Sequence, residues 1–306
     1  MKSESRLKKA LESGRFAVTA ECGPPKGADP EVIAEKGALL KDCVDSVNVT
    51  DNQTGVVRLC SMAACKLLLD QGVEPVLQMV TRDRNRIALQ SDILGASALG
   101  IRNILCLSGD HQSFGNQPEA MGVFDLDSIQ LIQMIRLMRD EGKVIGGEEL
   151  FKAPNVFVGA AANPFGDPAF YRSIRLAKKV KAGAEFIQTQ CIYNMDRFAE
   201  WMSEVRDLGL HEQTYIMGGI TPLRSAGMAE YMSKNVPGMD IPDELIKRIK
   251  SVPKKEQSKE GRKIAVESIQ ALKEMEGVSG VHIMAIEWEK AVPGIVEAAG
   301  LRSNDA

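Results

Sequence analysis

One rhythm constrains this chain more than any other feature. Short apolar runs rich in β-favouring residues recur along it, and a longer amphipathic run follows nearly every one. Eight runs read as strands: Phe16–Glu21, Ser46–Thr50, Val76–Val80, Asn103–Leu107, Val156–Ala160, Phe186–Gln190, Thr214–Gly218 and Val281–Ile286. Each is apolar on both faces, as a parallel strand is when helices cover the sheet. Helices are expected over Pro30–Asp42, Val56–Gln71, Arg86–Leu99, Asp127–Glu141 and Pro168–Ala182. The last third adds Ile241–Val252 and Lys255–Glu276 before the eighth strand. Eight strands alternating with helices is the count of a closed α/β structure, the (β/α)8 or TIM barrel. A length of 306 residues suits one such barrel, so residues 1–306 are expected to form a single domain.

Local punctuation agrees. Gly72, Gly100, Gly142 and Gly183 fall where helices should stop. Asp29-Pro30 and Asp167-Pro168 read as an N-cap followed by proline at the first helical position. The first strand runs into Cys22-Gly-Pro-Pro-Lys-Gly27, where an open dinucleotide-binding sheet would need a glycine-rich phosphate turn.

Composition enters by exclusion. A formal net charge of -3 gives no basic face for nucleic acid, and the charged run Lys254–Arg262 reads as a solvated helix face. No stretch of about 18 apolar residues occurs, so no membrane span is expected. Residues 1–14 are charged and amphipathic, with no apolar core of a secretion signal. Six cysteines without a CxxC pair fit a reduced, cytoplasmic protein and offer no metal-ligand spacing.

In such a barrel the chemistry sits where the strands end. The polar residues there are Glu21, Asn48 with Asp51, Gln78 with Arg82 and Arg84, Ser108-Gly109-Asp110, Asn163, Gln190, and Thr221 with Arg224. The three histidines end no strand, so zinc hydrolysis and Ser-His-Asp chemistry lack parts. Glu21 reads either as a desolvated general acid or as a capping carboxylate. Ser108-Gly109-Asp110 reads either as a close backbone approach to a flat ligand or as a plain turn. The forks of Thr81-Arg-Asp-Arg-Asn85 suit phosphates or carboxylates, or a solvated helix start. Gln190 offers an amide edge to a pterin, or serves as a structural glutamine.

Four of these segments resemble methylenetetrahydrofolate reductases. Thr19-Ala-Glu-Cys-Gly-Pro-Pro25 resembles their Glu-x-x-Pro-Pro opening, and Leu107-Ser-Gly-Asp110 their Leu-x-Gly-Asp. Lys178-Lys-Val-Lys-Ala-Gly-Ala184 with Thr189-Gln190 resembles their Lys-Val-x-Ala-Gly-Ala…Thr-Gln, and Gly219-Ile-Thr-Pro222 their Gly-Ile-x-Pro. The matches run in order over about residues 10 to 301. Thr81–Asn85 and Gly122–Ser128 look closest to the branch of anaerobic, acetogenic bacteria and of fusions with homocysteine methyltransferase modules.

The resemblance implies a non-covalent flavin, FAD with FMN as the alternative, and reduction of 5,10-methylenetetrahydrofolate to 5-methyltetrahydrofolate in one-carbon metabolism. Carried over by position, Glu21 is the general acid and the flavin N5 the hydride donor. Asp110 lies between flavin and pterin, Gln190 and Met232 bind substrate, and Asn48, Gln78, Ser108, Gly109, Asn163 and Lys179 line the flavin. The family's histidine after strand three is Gln78 here, its arginine before Gly-Asp is Ser108, its tyrosine before proline is Asn163, and its aromatic ring is Met232 beside Tyr231. With that ring absent, the electron donor is either NAD(P)H or a partner subunit carrying iron–sulfur or flavin centres, with Cys191 near the flavin. The reading from another class is a non-catalytic barrel subunit, a scaffold of a larger electron-transfer complex.

Overall fold

The computed structural model describes residues 4–236 and 238–301. Its strands are β1 (Ala17–Cys22), β2 (Ser46–Val49), β3 (Pro75–Val80), β4 (Asn103–Leu107), β5 (Phe157–Ala162), β6 (Phe186–Cys191), β7 (Tyr215–Ile220) and β8 (Val278–Ile283). They form a closed parallel barrel in chain order, sealed where Ala17–Ala20 of β1 run beside Gly280–Ile283 of β8. The expected (β/α)8 barrel is the observed fold. No helix among the described residues is long and apolar enough to cross a membrane.

Around the barrel lie α1 (Arg6–Glu12), α2 (Glu31–Leu40), α3 (Ser61–Asp70), α4 (Arg86–Ala98), α5 (Ser128–Arg136), α6 (Tyr171–Ala182), α7 (Met195–Asp207), α8 (Ala226–Asn235), α9 (Asp243–Lys250), α10 (Gln257–Lys273) and α11 (Val292–Ala298). The four helix-ending glycines all have positive φ, from 67° to 118°. Asp127 caps α5 in a reciprocal box with Gln130. Three expectations shift. α6 begins only at Tyr171, with Phe170 as its cap residue, so Asp167-Pro168 is not the helix start. Pro30 is the cap residue of α2, while Asp29 Oδ1 accepts from Glu31 N at 3.0 Å. α3 begins at Ser61 instead of Val56, because Asn52 and Thr54 take left-handed φ of 44° and 60° and turn the chain first.

β8 lies three residues earlier than the apolar run suggested. The reason is closure: a Cβ on Gly280 would come within 2.4 Å of Ala17 O, so only glycine lets β1 pass there.

Alternate residues of each strand point inward and stack in layers. The bottom layer is apolar: Ala17, Val76, Leu105, Phe157, Phe186 and Met217 form one buried cluster. Phe157 and Phe186 stack at 4.9 Å, and Gly159 leaves the space, since a Cβ there would meet the Phe186 ring at 2.2 Å. α1 closes this end by adding Leu7, Ala10 and Leu11 to the cluster. Its N-terminus is held by Glu74, which accepts from Arg6 N at 2.7 Å and Leu7 N at 3.0 Å. The middle layer is polar. Asn48 and Gln188 exchange amide hydrogen bonds of 2.6 and 3.1 Å, and Gln188 Nε2 also donates to Thr19 Oγ1 at 3.1 Å. Thr19 Oγ1 in turn meets His282 Nδ1 at 2.9 Å. Burial pushes the His282 imidazole down to about 3, so the ring stays neutral.

Candidate active site

Above the polar layer the barrel opens into a mouth cleft of about 300 Å³. Its floor and walls bring together Glu21, Gln78, Ser108, Gly109, Asp110 and Gln190 from the sequence reading. Glu21 is there because Ala17, Thr19 and Glu21 are the inward residues of β1, while Val18, Ala20 and Cys22 pack outward against the helices. The carboxyl is pushed up to about 7, first by burial and then by the facing Glu289 carboxylate, with Lys36 and a hydrogen bond from Gln53 opposing. A carboxyl held there is protonated for a large part of the time near neutral pH, which a general acid requires.

Across the cleft, Gly109 has φ 86°, and a Cβ there would press on Val80 Cβ at 3.1 Å. Both the left-handed backbone and the close approach of Val80 and Arg82 call for glycine at this point of the wall. Asp110 is exposed at the rim, and its Oδ2 accepts from Thr54 N at 3.1 Å, tying the β4 loop to the β2 loop. Ser108 Oγ accepts from Ser128 N at 3.2 Å. It therefore steadies the start of α5 while lining the cleft.

A second cleft of about 330 Å³ lies between β5 and α6, lined by Asn163, Arg172, Arg175 and Lys179. Ala161 and Gln190 line both clefts, which therefore lie side by side. Lys179 Nζ donates to Ala161 O, and burial, then the neighbouring Arg175, bring its ammonium down to about 8. Arg172 donates to Gly166 O at 2.5 Å and keeps its charge, so Arg172, Arg175 and Lys179 together make this cleft positive.

Of the other sequence candidates, Asp51 and Arg82 also line the mouth, while the rest lie outside it. Asn48 is fully buried below the mouth and reaches it through Gln188. Met232 packs in an apolar cluster with Cys191, Tyr193, Ala229 and Ile241, and Tyr231 beside it is 64% exposed. Cys191 lies in that cluster, meets Thr221 Oγ1 at 2.8 Å, and has its thiol pushed up to about 11 by burial. The forks after β3 are occupied. Arg82 holds Asp83 and the carbonyls of Asn52 and Asp110; Arg84 holds Asp51 and Asp92; Arg86 holds Asp125. They lock loops and are not an open phosphate cradle.

Sequence reasoning missed Gln53, Lys36, Glu289, Gln188 and Arg175. Gln188 was findable, since it sits two residues before Gln190 and so shares its inward face. Lys36 and Glu289 carry no local signal.

Fold and mouth together define a (β/α)8 barrel whose strand ends carry a proton-holding carboxyl beside a long, partly cationic cleft. The profile described as methylenetetrahydrofolate reductase matches residues 6–300, and the chain belongs to that family. It is 23% identical over 278 residues to a probable methylenetetrahydrofolate reductase (NADPH) of Caenorhabditis elegans, covering 89% of this chain and 39% of that protein. It is 27% identical over 239 residues to methylenetetrahydrofolate reductase 1 of Schizosaccharomyces pombe, covering 76% and 36%. The chain thus spans about two-fifths of the length of these relatives. Among solved structures it is similar to an uncharacterized Clostridium thermocellum protein that binds two copies of 5-methyl-5,6,7,8-tetrahydrofolic acid. The TM-score is 0.63 at 14% identity, over 96% of this chain and 98% of that one. A 2,3-dimethylmalate lyase matches with TM-score 0.51 at 13% identity, over 96% and 83%. These likenesses show the barrel fold alone.

Proposed function

We propose that the chain reduces 5,10-methylenetetrahydrofolate to 5-methyltetrahydrofolate with a bound flavin, in the cytoplasm, and that residues 1–306 act as one catalytic domain. The observation that carries this reading is the Glu21 carboxyl, buried in the mouth and held near pH 7 in the same cleft as Asp110 and Gln190.

The residues fit a flavin. Gly109 puts bare backbone, without a side chain, in the wall of the mouth, and Ala161 and Gln190 border both the mouth and the Arg175–Lys179 cleft. Gln78, Ser108, Gly109 and Asp110 would hold the ring system, and Asn163, Lys179 and Arg175 the phosphate-bearing tail. The reading takes the flavin as FAD, with FMN as the alternative, because Arg175 and Lys179 place positive charge beside the mouth. A bound flavin would supply hydride chemistry at the mouth.

The protein's own share is proton and charge placement. Glu21 donates its proton to a nitrogen of the bridged folate, the methylene bridge opens toward an iminium, and Glu21 is left as carboxylate. Gln190, exposed where both clefts meet, offers an acceptor and a donor to the pterin edge. Asp110 fixes the rim against Thr54 and places negative charge beside the developing cation. The neutral layer of Thr19, Asn48, Gln188 and His282 gives the mouth a rigid floor with no competing proton donor near pH 7.

The test is anaerobic oxidation of 5-methyltetrahydrofolate with an artificial electron acceptor, after the released chromophore has been identified by mass. Glu21→Gln should lower the rate by roughly 100-fold or more with flavin content unchanged. An unchanged rate overturns the acid assignment. The donor is proposed to be NAD(P)H or an iron–sulfur or flavin partner subunit; rapid flavin reduction by NADH in the isolated chain excludes the need for the partner.

A further inference from the structure

Glu21 opens on two sides. Besides the mouth it lines a side cleft of about 330 Å³, between the β1 loop and the turn after β8, and Gln53 lines both spaces. The far wall of the side cleft is an ion pair. Lys36 Nζ of α2 meets Glu289 Oε1 at 2.5 Å and also donates to Gly23 O at 3.0 Å, two residues beyond Glu21. Glu289 is 8% exposed and sits in the short turn Glu289–Ala291 that leads into α11. Two opposite charges, one from α2 and one from the turn before α11, therefore line the same side cleft as one protonatable carboxyl. Nothing in the hydride chemistry asks for this pair, and a carboxyl walled in by apolar residues would have no such counterweights.

We propose that Lys36 and Glu289 are a matched pair of positioning residues that set the proton affinity of Glu21 from the side cleft, each offsetting the other. The role rests on the general-acid reading of Glu21. The pair acts through space on a group it need not touch, and the cleft keeps Glu21 in contact with solvent when reactants cover the mouth.

The other charges around Glu21 do not substitute for the pair. Cys22 on β1 and Cys191 on β6 are pushed up to about 12 and about 11 and remain neutral thiols. From the β2 loop, Gln53 hydrogen-bonds Glu21 without a charge. Asp51 is forked by Arg84, and Arg82 is neutralised by Asp83. Asp110 faces the mouth from the opposite rim, bound to Thr54. Lys26, Arg58 and Glu287 also line the side cleft, mixed in sign, and His282 lines the mouth as a neutral ring.

The signs make the proposal testable. Removing Glu289 leaves Lys36 unopposed, so the Glu21 carboxylate is favoured and its titration moves to lower pH. Removing Lys36 leaves Glu289 unopposed, so the titration moves to higher pH. A merely structural pair would shift both variants the same way, since either loss loosens the same contact. The experiment is infrared pH titration of the whole chain, in which the Glu21 carboxyl band is the one lost in Glu21→Gln. Glu289→Gln should move the midpoint down, Lys36→Met up, each by roughly one pH unit, and the double variant should return near the parent value. The pH profile of single-turnover flavin oxidation by 5,10-methylenetetrahydrofolate should move in step. Midpoints that shift together, or not at all, overturn the proposal. Opposed infrared shifts with an unmoved rate profile leave the pair intact and overturn the acid role instead. Should a single variant fold poorly, the double variant, which keeps charge balance, supplies the decision: a midpoint far from the parent value also overturns the proposal.

Discussion

At the residue scale, what a side chain does here depends on which face of its strand it occupies and who stands behind it. Glu21 and Cys22 are neighbours in sequence, yet one faces the mouth and the other the helices. Lys179 shows the same dependence. Its ammonium is buried on α6 and aimed at Ala161 O, on the seam between the two clefts. Lys179→Met should lower flavin affinity by about tenfold or more while leaving the circular dichroism unchanged; flavin retained through gel filtration would contradict this. This scale also shows where sequence reading ended. The inward position of Glu21 and Gln190 follows from alternation and was legible. Lys36 and Glu289 were not, because only the fold brings α2 and the turn after β8 together. The arginines after β3 looked free in sequence, and their carboxylate partners, some adjacent and some distant, consume them.

At the scale of elements, the strand–helix rhythm was readable almost throughout, because parallel strands covered on both faces must be apolar. The errors sit where backbone geometry overrides composition. β8 is displaced because closure needs Gly280 beside Ala17, and α6 starts three residues after Pro168, with Phe170 as its cap residue. Gly159 carries a comparable demand. Gly159→Val should overfill the bottom layer against Phe186, and costs of about 1–3 kcal/mol or more are expected in denaturant unfolding. α1 was read only as a charged amphipathic start, yet its apolar face is part of the core. Leu7→Ala should cost about 2–5 kcal/mol, measured the same way, since Leu7 is fully buried. A loss below about 1 kcal/mol would mean that the helix end cap by Glu74, and not the apolar contact, holds α1 in place.

For the whole molecule, the raised Glu21 carboxyl links stability to pH. Its value moves from 4.5 to about 7 on folding, so the folded chain keeps a proton that the unfolded chain releases. The contribution is fully present below pH 4.5 and is lost as pH rises through about 7. By pH 8 the difference amounts to about 3 kcal/mol at most. Glu21→Gln should therefore unfold like the parent near pH 4.5 and be the more stable protein at pH 8. A gap between the two curves that does not widen with pH would show that Glu21 is not held protonated. The mouth thus carries a destabilising group that the rest of the barrel must tolerate, as expected where chemistry and packing compete. The bottom of the barrel has a different consequence, one of timing. α1 leads the described chain, but its apolar face rests on residues as late as Met217. During synthesis it precedes every strand of the barrel, and it has no complete seat until seven strands have followed. Until then its Leu7, Ala10 and Leu11 stripe lacks its full cover, and such exposed apolar surface is what chaperones bind.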